Sequence, residues 1–186
     1  MANITSIKAQ INQMGDAEFQ TLCDAYLSKI GYSNIVCLGT MGGARKTTKG
    51  TPDTYFVVDG NKYVFVEYTT NTTNLIKKVS EDIEKCLDES KTRVPIQNIT
   101  EIVYCHTSSN IAPGQDLKLK KMCSDVGIKL TLIGIDRLAD DLQKYPSIIR
   151  DYLHLPIGTD QIQSIDDFIN QYDSNALAAT LDTVFI

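Results

Sequence analysis

The chain has 186 residues, of which 42% are hydrophobic and 22% are charged, as in an ordinary globular protein. No apolar run reaches the length of about 18 residues that a membrane-spanning helix needs, and the first residues lack a secretory pattern, so no membrane association is expected. The five cysteines are scattered, without a C-x-x-C pair, which indicates buried thiols in a reducing cytoplasm.

The net charge of −5 is unevenly distributed along the chain. Five acidic residues and no lysine or arginine follow Gly158, so residues 1–158 carry 18 acidic and 18 basic residues. Between Asp24 and Asp53 there is no acidic residue, but there are four basic ones: Lys29, Arg45, Lys46 and Lys49. This basic stretch permits contact with phosphate groups, although a solvated basic loop explains it equally well.

Hydrophobic periodicity predicts elements in the order α-α-β-β-β-α-β-α-β-α. Asp16 is the expected N-cap of the second helix, Gly31 marks its end, and Asp59-Gly60-Asn61 is a hairpin turn. In chain order the elements are helices 4–14 and 16–30, strands 33–40, 53–58 and 62–70, helix 75–91, strand 99–109, helix 114–126, strand 129–135 and helix 137–153, which a proline divides.

This order predicts one α/β domain over residues 1–155, with a central mixed β-sheet flanked by helices. The hairpin makes part of the sheet antiparallel, whereas helices separate the later strands. Residues 156–186 are polar and acidic, and we interpret them as a linker or docking segment towards a further domain downstream. The apolar stripe of the first helix is expected to pack on its own domain rather than on a partner.

Two acidic residues stand inside the arms of the predicted hairpin. Asp53 lies six residues before Asp59 and Glu67 lies six residues after Asn61, so the two carboxylates can come level across the hairpin. Solvated strand positions would explain both acids, but Glu67 is flanked by an apolar run that predicts a buried strand. A buried carboxylate must be paired, protonated or bound to metal, so we favour a site for Mg²⁺ or Mn²⁺ between the two.

The phrase G-T-P-D, followed after thirteen residues by E-Y-T, resembles the motif of the PD-(D/E)xK nuclease superfamily, and within it the Mrr-like restriction-endonuclease domains. The segments TPDTYFVV and FVEYTTN, with the closing DLQKYPSIIRDYLHLPIGTDQIQSIDDF, are similar to N-terminal effector domains of STAND-type NTPases in bacterial antiviral (Avs-like) proteins. The resemblance spans about residues 15–170 and implies a restriction-endonuclease-like fold.

The resemblance also implies a set of metal ligands. In the superfamily the two acids of the motif hold Mg²⁺, which places Asp53 and Glu67 in that role. The segment DAEFQTLCDAYLSKIGY resembles the opening helix of Mrr-like domains, in which a glutamate often joins the metal site. Glu18 is the matching position, although an acid in the first turn of a helix is also favoured by the helix dipole alone.

The lysine of the superfamily motif, two residues after the second acid, is missing. That lysine helps to orient the attacking water and stabilises the transition state, whereas this chain has Thr69, whose hydroxyl supplies no charge. One explanation is a lysine from elsewhere, either Lys85 on the following helix or Lys46 or Lys49 on the preceding loop. The others are that Thr69 suffices with two metal ions, or that the domain binds without cutting.

The leading hypothesis is therefore a Mg²⁺-dependent deoxyribonuclease effector domain of an antiphage defence protein, with catalytic candidates Asp53, Glu67, Thr69, Glu18 and Lys85. Arg45, Lys46 and Lys49 are the candidates for contact with double-stranded DNA. The near-neutral core predicts weak DNA affinity, which clustering of several copies in a homo-oligomer would raise. The resemblance implies that downstream ATPase and sensor domains assemble these copies.

Two further functions stay open. The missing lysine and the net acidity favour a catalytically inactive nuclease-fold module for assembly or docking. A nuclease for RNA is disfavoured, because no stacking platform of exposed aromatic residues stands out.

Overall fold

The computed structural model describes residues 3–37, 51–58, 60–109 and 111–156. Within these ranges the chain alternates helices and strands much as predicted, with one additional short helix and a 3-10 turn before the fourth strand. The elements are α1 Ile4–Ile11, α2 Asp16–Lys29, β1 Ile35–Cys37, β2 Thr54–Val57, β3 Tyr63–Thr69, α3 Leu75–Cys86, α4 Glu89–Thr92, the 3-10 turn Ile96–Asn98, β4 Ile99–His106, α5 Pro113–Ser124, β5 Lys129–Ile133, α6 Ile135–Leu142 and α7 Pro146–Leu153.

The strands form one five-stranded sheet in the order β1-β2-β3-β4-β5. The pairs β1–β2 and β2–β3 are antiparallel, whereas β3–β4 and β4–β5 are parallel. Helices α3 and α4 connect β3 to β4, and α5 connects β4 to β5, as parallel neighbours require. The predicted α/β fold with a central mixed sheet flanked by helices is therefore confirmed.

Each face of the sheet carries its own hydrophobic cluster. One cluster contains Val64, Val66 and Tyr68 of β3 and is covered by α1, α2, α6 and α7. The other contains Phe65 and is covered by α3 and α5. Because side chains alternate along a strand, Glu67 lies on the face of β3 that α3 covers, and both neighbours of Glu67 point into the opposite cluster. The interpretation of Tyr68 as a core residue that faces away from Glu67 is confirmed.

Several helix ends differ from the sequence prediction. Helix α2 begins at Asp16, but its N-cap is Gly15. The helix predicted over 75–91 ends at Cys86, because Asp88 accepts a hydrogen bond from the Ser90 amide and caps the separate helix α4. Pro146 stands at the first position of α7, where its missing N–H costs nothing, so the predicted division is confirmed.

The hairpin closes where the sequence predicts it, and the cysteines are free thiols. Val58 donates its N–H to the Lys62 carbonyl at 2.8 Å and closes the hairpin between β2 and β3.

No cysteine is in a disulfide, and Cys23, Cys86, Cys105 and Cys123 are buried as expected. Cys37 is exposed, which corrects the expectation, because it lies on the edge strand β1. None of the helices in the described ranges is both long and apolar enough to cross a bilayer.

The helix α1 belongs to the core of its own domain. Ile7 and Ile11 are fully buried, and α1 packs against α6 and α7. We expect Ile11→Ala to lower the free energy of unfolding by about 2 to 5 kcal/mol, measured by urea denaturation followed by circular dichroism. Ile4→Ala, at a position that is 37% exposed, is the control and should cost less than about 1 kcal/mol. Equal small effects would mean that α1 is not part of the cooperative unit.

Candidate functional site

A polar cavity of about 340 Å³ opens where β3 ends, between α2 and α3. It lies at the carboxyl end of a strand at which the sheet changes from antiparallel to parallel pairing, and such ends are common ligand sites in α/β sheets. The residues that line the cavity are Asp16, Gln20, Thr51, Asp53, Glu67, Tyr68, Thr69, Thr70, Asn71, Lys78, Asp82 and Lys85.

The cavity brings together the two acids of the hairpin. Thr54 pairs with Val66, so Asp53 and Glu67 come next to each other at the end of the β2–β3 ladder, and both line the cavity. Asp53 Oδ2 also accepts the Tyr68 N–H at 3.3 Å, which fixes its orientation. The predicted level placement of the two carboxylates agrees with this geometry.

Glu67 is the more deeply buried of the pair, with 6% of its surface exposed. The Cys86 thiol donates a hydrogen bond to Glu67 Oε1 at 3.2 Å. Burial, and then the adjacent Asp53 carboxylate, raise the pKa of Glu67 well above its usual value. Burial also raises the pKa of Asp53. In the metal-free protein the pair therefore retains a proton at a pH where free carboxyl groups are ionised.

A third acid, Asp82 of α3, lies in the same cavity and is paired with two lysines. Lys78 Nζ and Lys85 Nζ each lie 2.9 Å from the Asp82 carboxylate, and Tyr104 Oη donates to Asp82 Oδ2 at 2.8 Å. Burial alone would raise the pKa of Asp82, but the hydrogen bonds from the two ammonium groups and the phenol outweigh it and lower that pKa. The hydrogen bond to Asp82 raises the pKa of Lys85, so this ammonium group is charged at neutral pH.

Gln20 of α2 contributes an unusual acceptor. Its side chain is fully buried, and its Nε2 donates to Thr54 Oγ1 at 3.1 Å and to the Asp53 carbonyl at 3.4 Å. These two acceptors fix which end of the amide is nitrogen. The other end, Oε1, has no hydrogen-bond partner, and a buried acceptor left without one is costly. The side chain lines the cavity, so a bound cation or donor would satisfy that oxygen.

Glu18 does not line the cavity, which corrects the expectation that it joins the metal site. Asp16 and Gln20 are four residues apart and share the face of α2 that meets the cavity, whereas Glu18 lies between them on the other side of the helix. It is exposed, and its Oε2 accepts the Gly15 N–H at 3.0 Å, which stabilises the first turn. Glu18 therefore caps its own helix, and Gln20 is the residue of α2 that reaches the acids.

Thr69 lines the cavity but uses its hydroxyl locally. It is 4% exposed, and its Oγ1 accepts the Asn71 N–H at 3.1 Å, so it shapes the turn that follows β3. Lys85 lines the cavity as predicted. Arg45, Lys46 and Lys49, the residues predicted to contact DNA, lie outside the described residues.

Three members of the site, Lys78, Asp82 and the inward side chain of Gln20, are not among the residues predicted from the sequence. A signal for the first two was available: Lys78, Asp82 and Lys85 follow at spacings of four and three residues, which places them on one face of a helix. That face adjoins the apolar stripe that predicts α3. Nothing in the sequence showed that the face would meet Asp53 and Glu67.

Comparisons with known proteins add a fold neighbour. No family model matches the chain, and no curated protein matches its sequence. Among solved structures, the small subunit (R.BspD6I2) of the heterodimeric restriction endonuclease R.BspD6I is similar, with a TM-score of 0.48 and 11% sequence identity over 83% of this chain and 87% of that chain.

The burial of Glu67 has a measurable cost. The pKa of Glu67 is raised in the folded state, so at pH values between the usual carboxyl pKa and this raised pKa the folded state binds more protons than the unfolded state. The stability of the metal-free protein therefore falls as the pH rises through this interval. We expect Glu67→Gln to raise the free energy of unfolding in EDTA at about pH 7 by roughly 1 to 2 kcal/mol. Near pH 4 the gain should vanish, because Glu67 is then protonated in both states.

Urea denaturation at both pH values measures this effect. Glu84→Gln, at an exposed position of α3, is the matched control and should change the stability at neither pH. A loss of stability in Glu67→Gln at neutral pH would mean that the ionised carboxylate is well accommodated, contrary to the proton-sharing pair.

Proposed function

We propose that the domain is a metal-dependent DNA endonuclease that hydrolyses phosphodiester bonds. One observation carries the proposal: two adjoining carboxylates, the buried Glu67 and the half-buried Asp53, share a single cavity with the ammonium groups of Lys78 and Lys85. Carboxylates suit a hard divalent cation, and ammonium groups suit a phosphate, so the cavity has donors for both parts of such a reaction.

The residues present fit a divalent cation in two respects. Among the described residues that line the cavity, four are carboxylates and two are lysines, a formal charge of −2 when all are ionised, which a dication would neutralise. The unpartnered Gln20 Oε1 is a further oxygen donor beside the pair. Asp53, Glu67 and Gln20 would hold Mg²⁺ or Mn²⁺, with water and substrate oxygens completing the shell. Only two of these three are carboxylates, and in the described ranges no group of three or more His, Cys, Asp or Glu side chains is placed to hold a metal ion.

The roles of the remaining side chains follow from their contacts. When bound, the cation would supply an activated water and positive charge for the phosphate. Asp53, held by the Tyr68 N–H, and Glu67 provide the anionic oxygens that orient it. Lys78 and Lys85 supply the positive charge that Thr69 lacks and would contact the phosphodiester. Thr69 keeps the turn after β3 in place through Asn71.

The biological setting of the proposal comes from the sequence resemblance. We place the domain as an Mrr-like effector at the N-terminus of an antiphage STAND-type NTPase, with residues 156–186 leading to ATPase and sensor domains. Self-assembly of that protein would cluster copies on double-stranded DNA, and Arg45, Lys46 and Lys49 would add phosphate contacts. The free thiols agree with a place in the cytoplasm.

One observation favours the alternative, a catalytically inactive module for assembly or docking. The motif position that holds a lysine in the superfamily is Thr69, and its hydroxyl is occupied by the Asn71 amide. The same site without metal has a negative formal charge, which disfavours a bare phosphate. Activity measurements separate the two functions.

Cleavage of supercoiled plasmid with Mg²⁺ or Mn²⁺ tests the nuclease directly. We expect metal-dependent nicking at high protein concentration, and a loss of at least about 100-fold in rate for Asp53→Ala and for Glu67→Ala, because each removes an anionic ligand of the cation. Gel electrophoresis of time courses gives the rates.

The exposed Glu84→Ala on α3 is the control and should retain the wild-type rate. No cleavage by the wild-type chain, even when copies are forced together on an oligomeric scaffold, would favour the docking module.

Isothermal titration with Mn²⁺ tests the cation site without any activity. Gln20→Leu, which keeps the side-chain volume but removes Oε1, should weaken Mn²⁺ binding by about tenfold, and Glu67→Gln should weaken it at least as much. Gln13→Leu, at an exposed position between α1 and α2, is the matched control. An unchanged affinity in a folded Gln20→Leu protein would remove Gln20 from the site.

A further inference from the structure

The buried carboxylate of Asp82 requires an explanation beyond the stability of α3. The side chain has 3% of its surface exposed and accepts hydrogen bonds from Lys78, Lys85 and Tyr104. Val79 and Ile83, which flank it along the same helix, are fully buried in the apolar cluster between α3 and the sheet. An aspartate is therefore placed where the packing alone would accept an apolar residue.

Stability does not account for this arrangement. Replacing a buried ion pair with apolar residues of similar volume is often neutral or stabilising, because desolvation offsets the attraction between the charges. The lysines do not need Asp82 for their own solvation, since their side chains are 38% and 42% exposed. Without a partner they would extend into water with many rotamers. Asp82 thus restricts two flexible lysine side chains at a cost in desolvation.

The place where Asp82 holds the two lysines is the cavity of Asp53 and Glu67. All five side chains line it. The ammonium groups act on different members of the acid pair: the charge of Lys78 opposes the burial that raises the pKa of Asp53, and the charge of Glu67 helps to raise the pKa of Lys85. Lys78 therefore lies within electrostatic reach of Asp53, and Lys85 within reach of Glu67.

We propose that Asp82 is a positioning residue that holds the ammonium groups of Lys78 and Lys85 beside Asp53 and Glu67, where both contact the phosphate of a bound DNA strand. Tyr104, which donates to the second carboxylate oxygen from the neighbouring strand β4, fixes Asp82 against the sheet. The phosphate contact rests on the proposed nuclease function. The holding of the lysines does not, since it is a property of the metal-free chain.

Lysine-detected NMR tests the holding in metal-free protein. Asp82→Asn keeps the size of the side chain and an acceptor for Tyr104, but removes the charge that pairs with the lysines. We expect the pKa of Lys85, followed through its ¹³Cε shift, to fall in Asp82→Asn, and the Nζ signals of Lys78 and Lys85 to broaden by exchange with water. Glu84→Gln, an exposed carboxylate on the same helix, should change neither signal. An unchanged pKa of Lys85 would overturn the proposal.

Kinetics and DNA binding test the phosphate contact. Lys78→Met and Lys85→Met should each lower kcat/KM by on the order of 100-fold, and Asp82→Asn by about 10- to 100-fold, because misplaced groups lose most of their effect. Lys77→Met, at a side chain that is 78% exposed, is the control. Lys85→Arg should restore part of the rate, since the arginine can still pair with Asp82.

Three outcomes separate the proposal from the nuclease function. If the wild type does not cleave, the nuclease proposal fails, and weaker binding of a short duplex in Ca²⁺ by Asp82→Asn, measured by anisotropy, would still support the positioning role. Loss of Mn²⁺ binding in Asp82→Asn would overturn it by making Asp82 a cation ligand. If Asp82→Asn does not fold, the double variant Lys78→Met/Lys85→Met is measured in its place, because it leaves Asp82 paired with Tyr104. Unchanged kcat/KM and unchanged duplex binding in that double variant would overturn the proposal.

Discussion

The burial of the Glu67 carboxylate against Asp53 is the constraint on which the rest of the structure depends. A carboxylate in the middle of a packed sheet is costly, and a second one beside it adds repulsion, so the pair persists only where surrounding groups fix both. Here the hairpin register sets their separation, the Tyr68 N–H and the Cys86 thiol each occupy one oxygen, and burial raises the pKa of Glu67 well above its usual value. Such an arrangement lowers the stability of the metal-free protein at neutral pH.

The packing of the rest of the fold offsets the cost in stability of these two acids. The cluster on one face of the sheet includes α1, α2, α6 and α7. It also contains Val66 and Tyr68 of β3, which alternate along the strand with Glu67 and Thr69. Because side chains alternate along β3, Val66 and Tyr68 hold the strand in the core while Glu67 faces the cavity. Helix α3 covers the opposite face of the sheet. Its apolar residues pack on the sheet, and the adjacent side of the helix carries Lys78 and Lys85.

The sequence allowed the sheet, its mixed pairing and the Asp53–Glu67 pair to be predicted, because period-two alternation and a hairpin turn determine register locally. The lysines and Asp82 could not be placed in the same way. Their common face on α3 follows from helical spacing, but the docking angle of α3 depends on packing against β4, which a single sequence does not encode in any local pattern. The prediction that Glu18 joins the metal site was wrong for a related reason, because a short motif match does not show which face of α2 meets the sheet.

The position of Thr69 then has a physical explanation. A lysine on a strand projects its ammonium group from the same face as the preceding acid, so its motif spacing is one way to bring positive charge to a carboxylate pair. A helix that crosses that face can bring positive charge from its own side. In this chain α3 carries Lys78 and Lys85 at the cavity, both paired with Asp82 and without any fixed spacing from Glu67. With positive charge already present at the cavity, position 69 can hold a small residue whose hydroxyl accepts the Asn71 N–H and closes the turn.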